Sequence, residues 1–400
     1  MKVLFVTWDS GATDYLSSLF FPIFAALRAR GVHVYTLQGT YGDAEDVARV
    51  AASAARYQLG YRAMRVSKVG RKAGMPLHLV RFSAEIVRKA KAVGAKIVMP
   101  RAIVPAAACL LARPLLPDVE WVWDADGLPA DERVDFAGWS PWGVPYWGMR
   151  GAERLMFQVS SRVMVRTQQA AEILQQRGGR SDDASRIFVV PNGRDEVAFT
   201  RDMSARQALR AELGLDEKTP LLISVGTQGP QYLTELQLRI VQAFTKVWPT
   251  TRAVFLTAQD ELVHRTRASL DIAASTVIAR RVPAHEIPQW LSAADVGLAL
   301  RAPAFSQRAV CPLKVAEYLL TSLPVITTPG IGDLDQVLDS DCAFFMRANP
   351  SELELDELVR WYRAVAASPA STGARAREVG LQYFSLNAAV SSYCTLFGVD

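Results

Sequence analysis

The stretch that most constrains how this chain can fold is Cys311 to Pro329, CPLKVAEYLLTSLPVITTP, followed by the loop Gly330-Ile331-Gly332-Asp333. Its pattern predicts a helix, a tight turn, a buried strand and a glycine-bearing loop, the alternation from which α/β sheets are built. Pro312 suits the first helical position, where its missing N–H is not needed, so the amides of Leu313 and Lys314 stay free at the positive end of the helix. Such an end is a place for phosphate. Lys314 and Glu317 are three apart and share a face, while Val315, Ala316, Leu319 and Leu320 carry the apolar character. Two readings fit that spacing. One is an exposed ion pair on a surface helix, which stabilises little. The other is a nucleotide diphosphate site, in which the free amides and Lys314 meet phosphate and Glu317 accepts hydrogen bonds from ribose hydroxyls.

The start of the chain follows the same logic. Val3 to Thr7 predicts a buried strand, Asp9-Ser10-Gly11-Ala12-Thr13 a loop, Ser17 to Arg30 a helix that Gly31 ends, and Val32 to Leu37 the next strand. That βαβ order predicts a parallel sheet. The loop lacks the full GxGxxG fingerprint, which disfavours NAD. Gly11 lets a ligand approach the backbone at the carboxyl end of the first strand, where open parallel sheets place their sites. Further strands are expected at Ile97 to Met99, Trp121 to Trp123, Arg162 to Arg166, Ile187 to Val190, Leu221 to Val225 and Val296 to Leu300. Helices are expected at Glu153 to Val159, Gln168 to Gln176 and Leu233 to Val247. A second glycine-bearing loop, Gly226-Thr227-Gln228-Gly229-Pro230, follows the strand at Leu221 to Val225, and Arg301 closes the strand that begins at Val296.

At 400 residues the chain is long enough for two domains, and 50% apolar with 21% charged residues marks a globular protein with sizeable cores. No apolar run reaches membrane-spanning length, and the first residues run straight into a strand, so a cytoplasmic protein is expected. Cys109, Cys311, Cys342 and Cys394 are scattered without ligand spacing and do not pair with the four histidines, so no structural metal is expected. Asp124-Ala125-Asp126 after a strand is a rival signal, because an Asp-x-Asp can hold a divalent cation against a diphosphate; a turn capped by Asp124 fits equally.

The net charge is only +5, yet ten basic residues fall between Tyr57 and Lys96 against one acid, Glu85. Charge runs are usually solvated helix faces. Met64, Met75, Leu77 and Leu79 interleave with these cations, which also suits an anionic membrane surface. Nucleic acid is not expected, since the basic stretch contains no recognisable recognition module. Trp139, Trp142, Tyr146 and Trp147 interleave with Gly and Pro over a span that reads as too broken for regular structure, suited to core packing, sugar stacking or lipid headgroups.

Pro312-Leu313-Lys314, Glu317-Tyr318-Leu319 and Leu323-Pro324-Val325-Ile326 together resemble the SPxK…EYLxxGxPVI segment of retaining glycosyltransferases with two Rossmann-like domains, family four. Pro191-Asn192-Gly193, Asp195 and Phe199 resemble that family's VxPNGxDxxxF hinge, with Arg194 at the variable position. The run from Val282-Pro283 through Glu286-Ile287-Pro288 to Ala294-Asp295-Val296 resembles its VPxxEIPxxLxxADV pattern, and Leu128 to Asp135 resembles a DxRGxxxDERV segment. Phe384-Ser385 and the helix after it resemble the tail that crosses back to brace the first domain. This chain departs from the family at Cys311, where serine is usual, and at Ser322, where glycine is usual. It also has Ala309 where relatives carry a glutamate that contacts the donor sugar, and it lacks the arginine and lysine usual in the Gly226 loop.

The resemblance implies an α/β fold of two doubly wound Rossmann-like domains facing across a cleft, the GT-B architecture. Residues 1–195 would bind acceptor, residues 196–382 would bind the nucleotide-sugar donor, and residues 383–400 would cross back onto the first domain. It implies transfer of a sugar with retention to a hydroxyl of a glycan or lipid-linked acceptor, in cell-surface polysaccharide or glycolipid synthesis, with no cofactor and no metal. On the donor side it implies Lys314, Glu317, Pro312, Leu313, Gly226, Gly330 and Gly332, with Arg301, Arg280 or Arg281 replacing the missing loop cations. Lys314, Glu132 and Asp126 are the catalytic candidates, and Gly11, Asp9 and Glu132 the acceptor-side ones. A fold kept for nucleotide binding or regulation without catalysis is the alternative.

Overall fold

The computed structural model describes the chain except residues 10–14, 67–73, 179–182 and 400. The chain divides into two compact units, one of residues 1–191 with 305–310 and 389–400, the other of 192–304 with 311–388. The Gly11 candidate, with Lys68, Arg71 and Lys72 of the basic stretch, lies outside the described residues.

The first unit is built on seven strands, β1 (Lys2–Asp9), β2 (His33–Thr40), β3 (Gly60–Arg65), β4 (Ile97–Pro100), β5 (Glu120–Asp124), β6 (Arg162–Val165) and β7 (Ile187–Val189), ordered β3-β2-β1-β4-β5-β6-β7. The second has six, β8 (Leu221–Val225), β9 (Arg252–Leu256), β10 (Val277–Arg280), β11 (Val296–Ala299), β12 (Val325–Thr327) and β13 (Ala343–Phe345), ordered β10-β9-β8-β11-β12-β13. All pairings are parallel. Parallel sheets need helical crossovers and are covered on both faces, which is why β1 and β8 are mainly apolar and bury continuous runs, residues 3–7 and 221–225. In each unit the winding reverses where its first strand meets its fourth, β1 against β4 and β8 against β11. Open α/β sheets bind ligands outside the carboxyl ends of the strands at such a point.

Helices cover the sheets with apolar faces. In the first unit Leu4, Val6, Phe82, Ile86, Trp123 and Met156 form one buried cluster, while Phe5 packs its ring on Phe20 and Phe24 at 4.9 and 5.1 Å between centroids. In the second unit one cluster gathers around Tyr318, Leu319 and Val254 and another around Phe244, Phe255 and Leu238. No helix of the described residues is long and apolar enough to cross a membrane.

Two departures from the sequence reading have local causes. The aromatic stretch is irregular only up to Gly143: Pro145 enters the first turn of a helix, Val144–Val159, that carries Tyr146 and Trp147. The units also part at 191/192, 304/305, 310/311 and 388/389, where boundaries were expected at 195/196 and 382/383 alone, so residues 305–310 fall in the first unit. Arg194 donates its N–H to the Phe384 carbonyl at 2.8 Å and accepts from the Leu386 N–H at 2.7 Å, which ties the hinge and the tail into the second unit. Residues 389–397 of the last helix, Leu386–Phe397, then belong to the first unit, where the Leu396 carbonyl accepts from Arg162.

Candidate functional site

The helix Leu313–Leu320 lies beside the reversal point of the second sheet, and one close approach seats it there. Tyr318 is fully buried and its hydroxyl accepts the N–H of Val225, the last residue of β8, at 2.9 Å. Its ring lies against Gly297 of β11, where any side chain would collide with it. Glycine is required at that position by space rather than by dihedral angle. Pro312 is the cap residue of this helix, one position earlier than the sequence suggested, and Leu313 is the first helical residue. The N–H groups of Leu313 and Lys314 have no acceptor among the described residues, as expected of a helix first turn.

Lys314 is the centre of the site. Its Nζ is buried, has no hydrogen-bond partner among the described residues, and stands 5.0 Å from the centroid of the Tyr232 ring. Arg301 packs its guanidinium on the same ring, also at 5.0 Å. Tyr232 ends the turn Pro230–Tyr232 after β8, and Arg301 follows β11, so both cations sit at the carboxyl ends of the two strands where the winding reverses. Thr328, just after β12, fixes Arg301: its hydroxyl accepts the Arg301 N–H at 2.7 Å and donates to the Arg301 carbonyl at 2.8 Å. Burial first, then repulsion from Arg301, pull the Lys314 ammonium down to a pKa of about 7, with Glu317 opposing them. Arg280 stacks on Trp290 at the end of β10, the edge strand, and Arg281 follows it, so neither is part of this pair of cations.

Glu317 is buried and paired with Arg194 at 2.7 Å. Burial raises its pKa, and Arg194 opposes that rise. Asn192, two residues before Arg194, donates its side-chain amide to the Cys311 carbonyl at 2.8 Å and its N–H to Cys311 Sγ at 3.5 Å. The Pro-Asn-Gly turn therefore holds the lead-in to the helix and the glutamate one turn along it. Gly226 (φ +94°) continues from β8 and donates to the Leu256 carbonyl. Gly330 (φ +78°) spends its N–H on Asp335 at 2.7 Å, and Gly332 (φ +52°) lies two residues on in the loop after β12. In the Gly226 loop, the Gln228 N–H goes to Gln259 and the Gly229 N–H to Thr234.

In the first unit, Asp124 and Asp126 do not stand ready for a cation. Asp124 is fully buried and paired with Arg166 at 2.7 Å, while Asp126, in the left-handed region at φ +49°, pairs with Arg101 at 2.6 Å. Burial pushes the Asp124 carboxyl up to about 6 against the pull of Arg166, with Asp126 adding to the rise. Two guanidinium groups already neutralise the two acids, and among the described residues no group of three ligating side chains gathers. Asp9, at the end of β1, accepts from Gln38, whose carbonyl accepts from Tyr61. Glu132 lies exposed on the helix Pro129–Ala137, away from any ion pair among the described residues. Its neighbour Asp131 is the structural acid, held by both terminal nitrogens of Arg177 at 2.9 Å. Ala309 is 1% exposed in the first unit's apolar core, so a carboxylate there would be buried among hydrocarbon.

Sequence reasoning missed Tyr232 and Thr328, and it read Asn192 and Arg194 as parts of a hinge motif without assigning them to the site. That motif was their signal, with Arg194 a cation at its variable position. Tyr232 and Thr328 act through three-dimensional proximity that spacing does not encode.

No family model matches the chain, and no curated protein matches it in sequence. Solved structures do. Anabaena HepE in complex with UDP is 17% identical, with a TM-score of 0.71 and full coverage of both chains. Sucrose-phosphate synthase from Thermosynechococcus elongatus is 14% identical, with a TM-score of 0.74 over 99% of this chain and 98% of that one. A glycosyltransferase from Rickettsia africae is 13% identical, with a TM-score of 0.72 over 99% of each chain. At these identities the likeness shows the fold, two α/β units each wound about a parallel sheet.

Proposed function

We propose that the chain is a retaining glycosyltransferase that moves a sugar from a nucleoside diphosphate donor to a hydroxyl of a glycan or lipid-linked acceptor. The observation that carries this reading is the pairing of Lys314 with Arg301 on Tyr232, with the Lys314 Nζ buried and without a hydrogen-bond partner among the described residues. Holding two cations together and stripping one of solvent is costly. A bound diphosphate relieves both costs, and the open N–H groups of Leu313 and Lys314 add donors for its oxygens. The neighbour HepE, solved with UDP and with UDP-glucose, supports the same donor class on this fold. As the glycosidic bond breaks, the charge developing on the departing diphosphate is stabilised by these fixed positive groups. The leaving phosphate takes the acceptor's proton on the same face of the sugar.

With cations already in place, no divalent metal is required for the diphosphate. Asp126 and Glu132 stay the proposed acids on the acceptor side, with Asp9. The second reading, nucleotide binding without turnover, is favoured by the burial of Ala309 in an apolar core and by the internal use of the Gln228 and Gly229 amides. We place the work of the enzyme in cell-surface glycan or glycolipid synthesis, at the cytoplasmic face of a membrane. The support is the surface of the first unit: the helix Met75–Val93 exposes Leu77, Val80, Arg81, Arg88 and Lys91 while Glu85 is buried.

The donor site is tested by calorimetry with UDP, ADP and GDP. Lys314→Ala should weaken the best binder by about 1.5–3 kcal/mol, roughly tenfold to 150-fold, the contribution of a charge-assisted hydrogen bond. Binding unchanged in the variant, or no binding of any of the three by the wild type, overturns the assignment.

A further inference from the structure

We propose that Arg194 is a positioning residue for donor recognition: it aims the Glu317 carboxylate at the nucleotide's ribose hydroxyls. This inference rests on the donor site argued above and goes beyond it, because it places part of ribose recognition in the Pro-Asn-Gly turn rather than on the helix that carries Lys314.

Arg194 reaches Glu317 Oε1 at 2.7 Å, with the side chains only 12% and 10% exposed. Its guanidinium is itself held from the other side, stacked over the Phe199 ring at 4.9 Å, and Phe199 is buried. Its backbone is fixed in both directions by the Phe384 carbonyl and the Leu386 N–H. Asp195, the next residue, accepts the N–H groups of Val197 and Ala198 at 2.9 and 3.1 Å and so closes the turn. The guanidinium is thus a rigid support rather than a mobile surface cation.

That support has two consequences for Glu317. A buried carboxylate without a cation takes up a proton and becomes a donor as well as an acceptor, whereas ribose hydroxyls call for an acceptor. Arg194 favours the ionised form. A guanidinium also fixes the plane of the carboxylate it pairs with, which a lysine ammonium does not. With Oε1 engaged by Arg194, Oε2 is the oxygen left for a ribose hydroxyl. Asn192 steadies the same helix by its bonds to Cys311, so one short turn sets the position of the helix start and the direction of the glutamate.

The test is the ratio of affinities for the tightest-binding of UDP, ADP and GDP and for its 2′,3′-dideoxy counterpart, measured by calorimetry. The wild type should prefer the ribose form by about tenfold or more, the loss expected when a hydrogen bond to a charged group goes unmade. Glu317→Ala should bring the ratio close to one. Arg194→Ala should do the same, whereas Arg194→Lys should restore part of the preference. Lys314→Ala should weaken both ligands together and leave the ratio unchanged. A mere packing role for Arg194 would lower both affinities without touching the ratio. Arg194→Ala with a wild-type ratio, in a protein where Glu317→Ala has lost it, overturns the inference and leaves the donor site standing. Glu317→Ala with a wild-type ratio overturns the ribose assignment and the inference with it. If Arg194→Ala does not fold, Arg194→Lys carries the same test, since a lysine cannot hold the carboxylate plane and should still lower the ratio.

Discussion

Lys314 is the residue at which sequence and geometry agree most closely, and its titration gives the sharpest residue-scale consequence. Spacing put it on one face with Glu317 at the start of a helix; the structure adds that its Nζ is buried beside Arg301 and pulled down to a pKa of about 7. The folded pKa lies below that of an ordinary lysine, so burial of Lys314 costs most stability below about pH 7, and that cost fades as pH rises toward the ordinary lysine range. Binding of a diphosphate favours the ammonium and reverses the shift. Between about pH 8 and 9 the wild type should therefore take up a proton when a nucleoside diphosphate binds, and its affinity should fall as pH rises. Calorimetry in buffers of different ionisation enthalpy measures this uptake. Proton uptake that persists in Lys314→Met would assign it to another group. The site roles of Arg194, Tyr232 and Thr328 were not legible because each acts on partners far away in the chain.

At the scale of elements, strands such as β1, β7, β8 and β12 and the helix Leu313–Leu320 could be read from the sequence, while the edge strand β3 and the central strand β9 could not. β1, β8 and β12 are short apolar runs buried on both faces. β3, GYRAMR, is an edge strand with no fully buried residue, so its composition resembles a loop. The helix Val144–Val159 hid behind Gly and Pro, and its exposed Trp147 and Leu155 lie on the same unit as the basic helix Met75–Val93. Both helices pack against the helix Ile103–Ala112, which itself exposes Leu111. Apolar side chains flanked by cations suit an anionic leaflet, where each basic residue contributes about 1 kcal/mol, screened over a Debye length of about 8–10 Å. Co-sedimentation should show binding to anionic vesicles that weakens in high salt and in the Arg81→Glu, Lys91→Glu double variant. Equal binding to neutral vesicles, or no loss in the double variant, would leave a soluble acceptor as the substrate.

For the whole molecule, the repeated strand–helix order and the set of motifs made a two-unit α/β fold legible, and it is the fold shared with solved structures under 20% identical over nearly all of both chains. The dividing points were less legible, because the pairing of Arg194 with the tail beside Ser385 is made by backbone groups that any sequence carries. A fold of this kind hosts more than one chemistry, so turnover is a property of the site. Catalysis at the Lys314 site is measured by consumption of UDP-, ADP- and GDP-sugars, followed by release of the nucleoside diphosphate, with water and with glycan and lipid-linked acceptors, in the presence of a divalent-metal chelator. One donor should be consumed despite the chelator, the product should keep the donor's anomeric configuration, and Lys314→Ala should lose the activity. Tight binding of a nucleoside diphosphate with no donor consumed, or turnover that chelation abolishes and manganese restores, would contradict catalysis of this kind.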